Sequence, residues 1–318
     1  MSAQPDLAVW DVPLRTRFRG LTRRDGVLVR GDAGWGEFSP FWDYDDDVAV
    51  RWWRAAREAA DEGWPDPVRT HVPVNVTVPA VDPEHAHRIV RGSGGCRTAK
   101  VKVAEPGQPV GADEARLEAV RDALGADGAI RVDANAAWDV DTAVARLAAL
   151  DRAAGGLEYA EQPVPGVDDL AALRRRTHVP LAADEAVRLG DDPLAVVRRQ
   201  AADVVVLKVQ PLGGVRACLR LAEQVGLPVV VSSALETSVG LAAGLALAAA
   251  LPELPHACGL ATAALLADDL VTDPLLPRGG AIEVRRPLPS PDLLAAAAAP
   301  RALAERWGAR LAAVRARA

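Results

Sequence analysis

From about residue 72 the chain alternates between short apolar runs and longer amphipathic stretches. The runs are VPVNVTV (72–78), TAKVKV (98–103), IRVDAN (130–135), LEYAEQP (157–163), PLAADE (180–185), VVVLKV (204–209), PVVVSS (228–233) and HACGL (256–260). Most are rich in β-branched or small apolar residues, which suits buried strands. Between them, stretches such as ADEARLEAVRDAL and VDTAVARLAALDRA repeat their apolar residues at helical spacing. Strands alternating with helices predict βα units around a parallel sheet. Eight such units fit an α/β fold of the (β/α)8 barrel type, with a doubly wound open sheet as the runner-up.

The first 70 residues follow another pattern. They hold six of the eight tryptophans (Trp10, Trp35, Trp42, Trp52, Trp53 and Trp64), all three phenylalanines and Tyr44. RGDAGWGEFSPFW has hairpin character, and Asp45 to Ala59 suits a helix. This predicts an α+β capping domain over residues 1–71 and a barrel over 72–280. The tail, about 281–318, has one strand-like piece, AIEVRRPL, and one helix, PRALAERWGARLAAV. It is expected to complete the cap.

Composition narrows the class. Half of the 318 residues are hydrophobic, a quarter are charged and the net charge is −6. That balance argues against a general binder of nucleic acid or of anionic membranes. The apolar run Val239–Leu251 is too short to span a bilayer. Three scattered cysteines (Cys96, Cys218, Cys258) form no CxxC pair, and the N-terminal residues lack a secretory pattern. A cytoplasmic protein is expected. His71, His85, His87 and His178 form no zinc set, and the GSGG at 92–95 precedes a strand where a phosphate loop needs a helix.

The basic residues carry the sharpest signal. Of 37, 34 are arginine, and the lysines are Lys100, Lys102 and Lys208. Codon bias explains why lysine is rare. It does not explain why all three survivors lie in apolar strand-like runs. Lysine is seldom buried without a partner, and unlike arginine it can lose its proton and act as a base or form a Schiff base. Strand alternation puts Lys100 and Lys102 on one face, and likewise Asp133 and Asn135. Glu161, Asp184 and Glu185, and then Ser232 and Ser233, stand at the ends of later strands. Ends of barrel strands are where such folds place active sites. Asp133, Glu161 and Asp184 would supply hard oxygen ligands, which suit Mg²⁺ better than Zn²⁺. Unrelated ion pairs, or carboxylates that merely cap the following helices, remain open from the residues alone. Ser232 and Ser233 suit either a substrate carboxylate or the cap of the next helix. The segment TRFRGLTRRDG (16–26) suits a flap over an anionic ligand, with Gly20 at its tip.

The order KVK, VDAN, EQP, ADE, LKVQPLGG resembles the enolase superfamily, in its muconate-lactonizing subgroup, and GWGEFSP agrees with the cap of that family. The likeness covers about residues 72–265. It implies a modified, enolase-like barrel with Lys102 and Lys208 as the acid–base pair. It also implies Asp133, Glu161 and Asp184 as ligands of Mg²⁺, with Mn²⁺ as an alternative occupant. Lys100, Asn135, Glu185, Ser232, Ser233 and Gly20 are supporting candidates. The segments SSALETSVGLAAGLALAAAL and ACGLATAALLADDLV further resemble an actinobacterial dehydratase branch. That branch implies syn loss of water from 2-succinyl-6-hydroxy-2,4-cyclohexadiene-1-carboxylate, a small carboxylate. One lysine takes the α-proton and returns it to the leaving hydroxyl, while the metal stabilises the charge on the carboxylate. Ala186 departs from many relatives, which carry Ser or Thr there. Racemase, epimerase and cycloisomerase relatives remain alternatives. So do two other classes, a metal-free Schiff-base aldolase and a silent binding protein.

The lysines generate a direct test. Lys102→Arg keeps the charge but removes the base, so turnover should fall by about 10²–10⁴-fold in a folded protein. Lys208→Arg should leave some dehydration but abolish any two-base racemisation. Near-normal turnover of Lys102→Arg in a stopped assay contradicts the acid–base role.

Overall fold

A computed structural model describes residues 6–109, 111–190 and 192–318. The chain opens with an antiparallel sheet of β1 (Leu7–Phe18), β2 (Leu21–Gly31) and β3 (Gly34–Phe38). The β1–β2 turn is Arg19–Gly20, both at positive φ (50° and 75°), so the predicted flap is the tip of a hairpin. Helix α1 (Asp46–Arg57) packs on this sheet. The Asp45 carboxylate caps it by accepting from Val48 N, with Asp46 and Asp47 in the first turn and Arg54 and Arg57 in the last. One π-helical turn (Glu58–Glu62) extends it beyond the predicted end. Gly36 lets the sheet approach: a Cβ there would collide with the carbonyl of Ala56.

Next come β4 (His71–Pro73) and β5 (Val76–Val78). The barrel continues through α2 (Pro83–Arg91), β6 (Thr98–Lys102), α3 (Ala112–Leu124), β7 (Ala129–Asp133), α4 (Val140–Ala154) and β8 (Tyr159–Glu161). It goes on with α5 (Val167–Arg174), β9 (Leu181–Ala183), α6 (Glu185–Arg188), α7 (Ala195–Arg198) and β10 (Val204–Lys208). It ends with α8 (Val209–Leu212), α9 (Val215–Val225), β11 (Val229–Ser232) and α10 (Ser238–Ala250). Strands β5 to β11 form a parallel sheet in sequence order, seven-stranded among the described residues.

Two predicted strands differ. Residues 72–78 split into β4 and β5, with Val74 between them bridged to Cys258. β4 instead pairs antiparallel with β12 (Ala281–Glu283). Residues 256–260 make single bridges, Cys258 to Val74 and Gly259 to Ser232. This segment thus takes the eighth position of the wall and joins the sheet's two edges without becoming a ladder.

Helix α10 is buried from Ser238 to Ala249, which explains an apolar run without a polar face. Among the described residues no helix is long and apolar enough to cross a membrane. The tail then divides. Helix α11 (Pro291–Ala296) leads to α12 (Arg301–Arg315), which packs on α1. Trp307 sits fully buried among Phe38, Trp52 and Trp53, and its indole donates to Asp25 Oδ2 at 2.7 Å.

Below the strand ends the barrel interior is partly polar. Arg131 is fully buried, bonded to Glu158 Oε2 (2.5 Å), the Ala257 carbonyl (2.6 Å) and Asn75 Oδ1 (3.1 Å), with its guanidinium 4.6 Å from the Tyr159 ring. His256 Nδ1 lies 2.8 Å from Glu158 Oε1. Burial opposes the charge on Glu158, but the bonds to His256 and Arg131 outweigh it and hold the carboxyl at about 2. A depressed folded-state value means stability that is present above the ordinary carboxylate range and lost as pH falls through about 2. Glu158→Gln should therefore cost about 1.5–3 kcal/mol at neutral pH. In urea melts, its deficit against the unaltered protein should close between about pH 4.5 and pH 2. A deficit independent of pH contradicts this account.

Candidate active site

The parallel register assembles the site. Lys102 on β6 is opposite Asp133 on β7, which is opposite Glu161 on β8. Glu161 is opposite Ala182, so Asp184, two residues on, points to the same side. Lys208 is opposite Ser232. Asp133, Glu161 and Asp184 are at most 1% exposed. Asp184 occupies the N-cap position of α6 yet makes no capping bond, so helix capping does not account for it.

Each carboxylate is held by a lysine. Lys100 Nζ is 2.9 Å from both oxygens of Glu161 and 3.2 Å from Asp133 Oδ2. Lys102 Nζ is 2.6 Å from Asp133 Oδ2 and 2.7 Å from Asn135 Oδ1. Lys208 Nζ is 2.5 Å from Asp184 Oδ2. The electrostatics are uneven. Burial disfavours the charge on Lys100, but Glu161 and Asp133 more than offset this and raise its pKa. Burial also disfavours the charge on Asp133, but Lys102 and Lys100 keep its pKa lowered. Glu161 is pushed up to about 7 by burial and by Asp133 and Asp184, against the pull of Lys100.

A cavity of about 250 Å³ opens above these groups. Lys100, Lys102, Asn135, Lys208, Ser232 and Ser233 line its barrel side, and Phe18, Arg19, Gly20, Phe41 and Tyr44 its cap side. The flap hairpin therefore lies at the barrel mouth, with the Phe18 ring 5.5 Å from Lys102 Nζ. Ser233 Oγ pairs with Thr262 Oγ1 at 2.6 Å, and Thr237 caps α10, so neither Ser232 nor Ser233 is the cap of that helix. Arg24, within the predicted flap segment, is fully buried and bonds the carbonyls of Ser39, Asp25 and Leu235. It ties cap to barrel and is not aimed at a ligand.

Donor chemistry fits a divalent cation. Three buried carboxylates on adjacent strands feel one another's charge, and Glu185 Oε2 beside them is buried without a hydrogen-bond partner among the described residues. With the lysines bonded to them, no group of three such side chains among the described residues stands ready-made around an ion.

Sequence reasoning missed three residues around the site. Gln162 Oε1 accepts from Asp184 N and Ala186 N (3.1 Å each), fixing the end of β9. Arg188 Nε bonds Asp184 Oδ1 at 3.0 Å and its Nη2 bonds Glu185 Oε1 at 2.7 Å. Tyr44 reaches Arg188 across the cavity at 2.7 Å. Gln162 is the middle residue of EQP and Arg188 lies three residues beyond ADE, and those positions were the available signal. Tyr44 carried none.

A capped barrel with carboxylates between lysines defines the class, and the comparisons agree. Residues 83–289 match the family described as Enolase C-terminal domain-like, and residues 9–60 match Enolase N-terminal domain-like. The chain belongs to the enolase superfamily. Its relatives include o-succinylbenzoate synthase of Thermobifida fusca, 64% identical over 96% of this chain and 94% of that one. That of Mycolicibacterium smegmatis is 51% identical over 95% and 92%. In fold the chain is similar to muconate lactonizing enzyme from Pseudomonas fluorescens, with a TM-score of 0.79 and 21% identity over 92% of this chain and 98% of that one. Enzymes of this superfamily use a divalent metal.

Proposed function

We propose that this chain carries out the o-succinylbenzoate synthase reaction, a carbon–oxygen lyase step in menaquinone biosynthesis. Water leaves 2-succinyl-6-hydroxy-2,4-cyclohexadiene-1-carboxylate by syn elimination, forming 2-succinylbenzoate. The observation that carries this reading is the pair of lysines, Lys102 and Lys208, on one cavity at either side of three buried carboxylates. The identity to the synthases named above supports the choice of reaction.

Asp133, Glu161 and Asp184 would hold Mg²⁺, or Mn²⁺ in its place. When bound, the cation supplies electrostatic stabilisation of negative charge on the substrate carboxylate. The remaining steps belong to side chains. Lys102 Nζ, free to exchange Asp133 and Asn135 for substrate, takes the proton α to the carboxylate. The same ammonium then delivers a proton to the departing hydroxyl on the same face. Lys208 stays charged on the opposite wall, beside the electron-rich intermediate. Phe18 and the flap exclude water from Lys102, and Arg17 and Arg19 make the cap side attractive to an anionic substituent. In this reading residues 1–71 with the tail set specificity and residues 72–280 carry the chemistry, in the cytoplasm.

A second reading has one supporting observation. Both lysines line the same cavity, the arrangement that two-base racemisation of an N-succinylamino acid requires.

Incubation with the cyclohexadiene substrate and Mg²⁺ should give aromatisation, visible by UV absorbance and abolished by EDTA. Activity that survives EDTA, with borohydride trapping of a lysine adduct, would favour the aldolase class. Asp133→Ala, Glu161→Ala and Asp184→Ala should each weaken Mg²⁺ binding in calorimetry by more than the about 10–100-fold that loss of an outer partner costs. Unchanged affinity in all three contradicts the ligand assignment.

A further inference from the structure

The Tyr44 hydroxyl is the point where the flap meets the carboxylate end of the barrel. It accepts from Arg19 Nη2 at 3.1 Å and from Arg188 Nη1 at 2.7 Å. Arg19 is the flap tip. Its Nη2 also bonds Asp43 Oδ2 at 3.0 Å, and its guanidinium lies 4.2 Å from the Phe41 ring. Arg188 is 5% exposed and bonds Asp184 through Nε and Glu185 through Nη2. A continuous chain of hydrogen bonds therefore runs from the flap tip, through one phenol oxygen and one guanidinium, to Asp184.

Two cations converging on one neutral oxygen repel each other unless each is compensated elsewhere. For Arg188 the compensation is Asp184 and Glu185; for Arg19 it is Asp43. A planar guanidinium held at three corners has little freedom to turn, and it fixes the Asp184 oxygen it touches. Taking away the Tyr44 corner releases Arg188 on the side that faces the flap. The Tyr44 ring has a separate role, packed 5.2 Å from Trp52 and 6.1 Å from Phe41.

We propose that Tyr44 and Arg188 are positioning residues through which the seating of the flap and the binding of a divalent cation at Asp184 favour each other. This rests on the assignment of Asp184 as a metal ligand. Coupling of this kind is reciprocal: if the seated flap strengthens metal binding, metal must seat the flap.

The test uses the full chain, Mg²⁺ alone and two variants. Tyr44→Phe keeps the ring and removes the relay oxygen. Arg188→Lys keeps the charge, but one ammonium cannot reproduce the three-cornered fork. Calorimetry measures Mg²⁺ affinity, and amide hydrogen exchange across residues 16–21 reports the flap. In the unaltered protein Mg²⁺ should slow exchange in the flap. Tyr44→Phe should bind Mg²⁺ about 5-fold or more weakly and lose the flap response. Arg188→Lys should lose about 10–100-fold in affinity, with the same loss of response. If Tyr44→Phe does not fold, as judged by circular dichroism, Arg188→Lys decides alone. Mg²⁺ affinity that is unchanged or tighter in the folded variants, with the flap still responding, overturns the relay and leaves the metal site standing. No Mg²⁺ binding by the unaltered protein overturns both.

Discussion

Burying carboxylates inside the barrel mouth is the constraint from which most of this structure follows. Asp133, Glu161 and Asp184 have almost no contact with solvent, and an isolated buried charge is prohibitive. Each therefore requires a cation within bonding distance, and removing one partner of such a pair costs about 3–5 kcal/mol. Lys100, Lys102 and Lys208 meet that need from β6 and β10, either side of the three carboxylate strands. Lysine is suited to the task in a way arginine is not. Its ammonium is compact and can move from carboxylate to substrate, and it can give up a proton. An arginine fork would hold the carboxylate and keep it.

The cap is fastened to the barrel by polar contacts as well as apolar ones. Glu37 of β3 is buried against the start of α10, accepting from Thr237 Oγ1 and from the amides of Thr237 and Gly240. Burial pushes its carboxyl up to about 7, against the bond from Thr237. Arg24 of β2 reaches the carbonyl of Leu235 beyond β11. Both contacts lie behind the flap, so the hairpin is anchored at its base while its tip projects over the cavity. The cap thereby positions Phe18, Arg19 and Tyr44 without contributing to the barrel's own sheet.

How much of this was legible follows from physics that acts locally. Strand alternation and the confinement of all three lysines to apolar runs pointed to the barrel mouth, and the structure brings Lys102, Asp133, Glu161, Asp184 and Lys208 together there. The resemblance to the enolase superfamily holds over both matched regions. The eighth position of the wall was legible in HACGL, but not its form, since a run that looks like any strand makes single bridges to Val74 and Ser232 instead of a ladder. The contact between Arg188 and Tyr44 was not legible either, although the nearness of Arg188 to ADE was a signal. One arginine among 34 carries no compositional signal, and an aromatic in a cluster of tryptophans looks like core. Their meeting depends on how the cap is set on the barrel, a long-range geometry that no local pattern encodes.

The burial of Trp307 in one apolar cluster with Phe38, Trp52 and Trp53 has a consequence for synthesis. The chain emerges from the ribosome N-terminus first, so the sheet and α1 are made well before the indole that finishes their core. At about 5–20 residues per second, a gap of about 250 residues leaves that aromatic face uncovered for roughly 12–50 s. During this interval the barrel can close on its own contacts, whereas the cap waits. A chain stopped just short of residue 307 therefore carries Lys102, Asp133, Glu161, Asp184 and Lys208 but presents Phe38, Trp52 and Trp53 to whatever in the cell recognises unfinished protein.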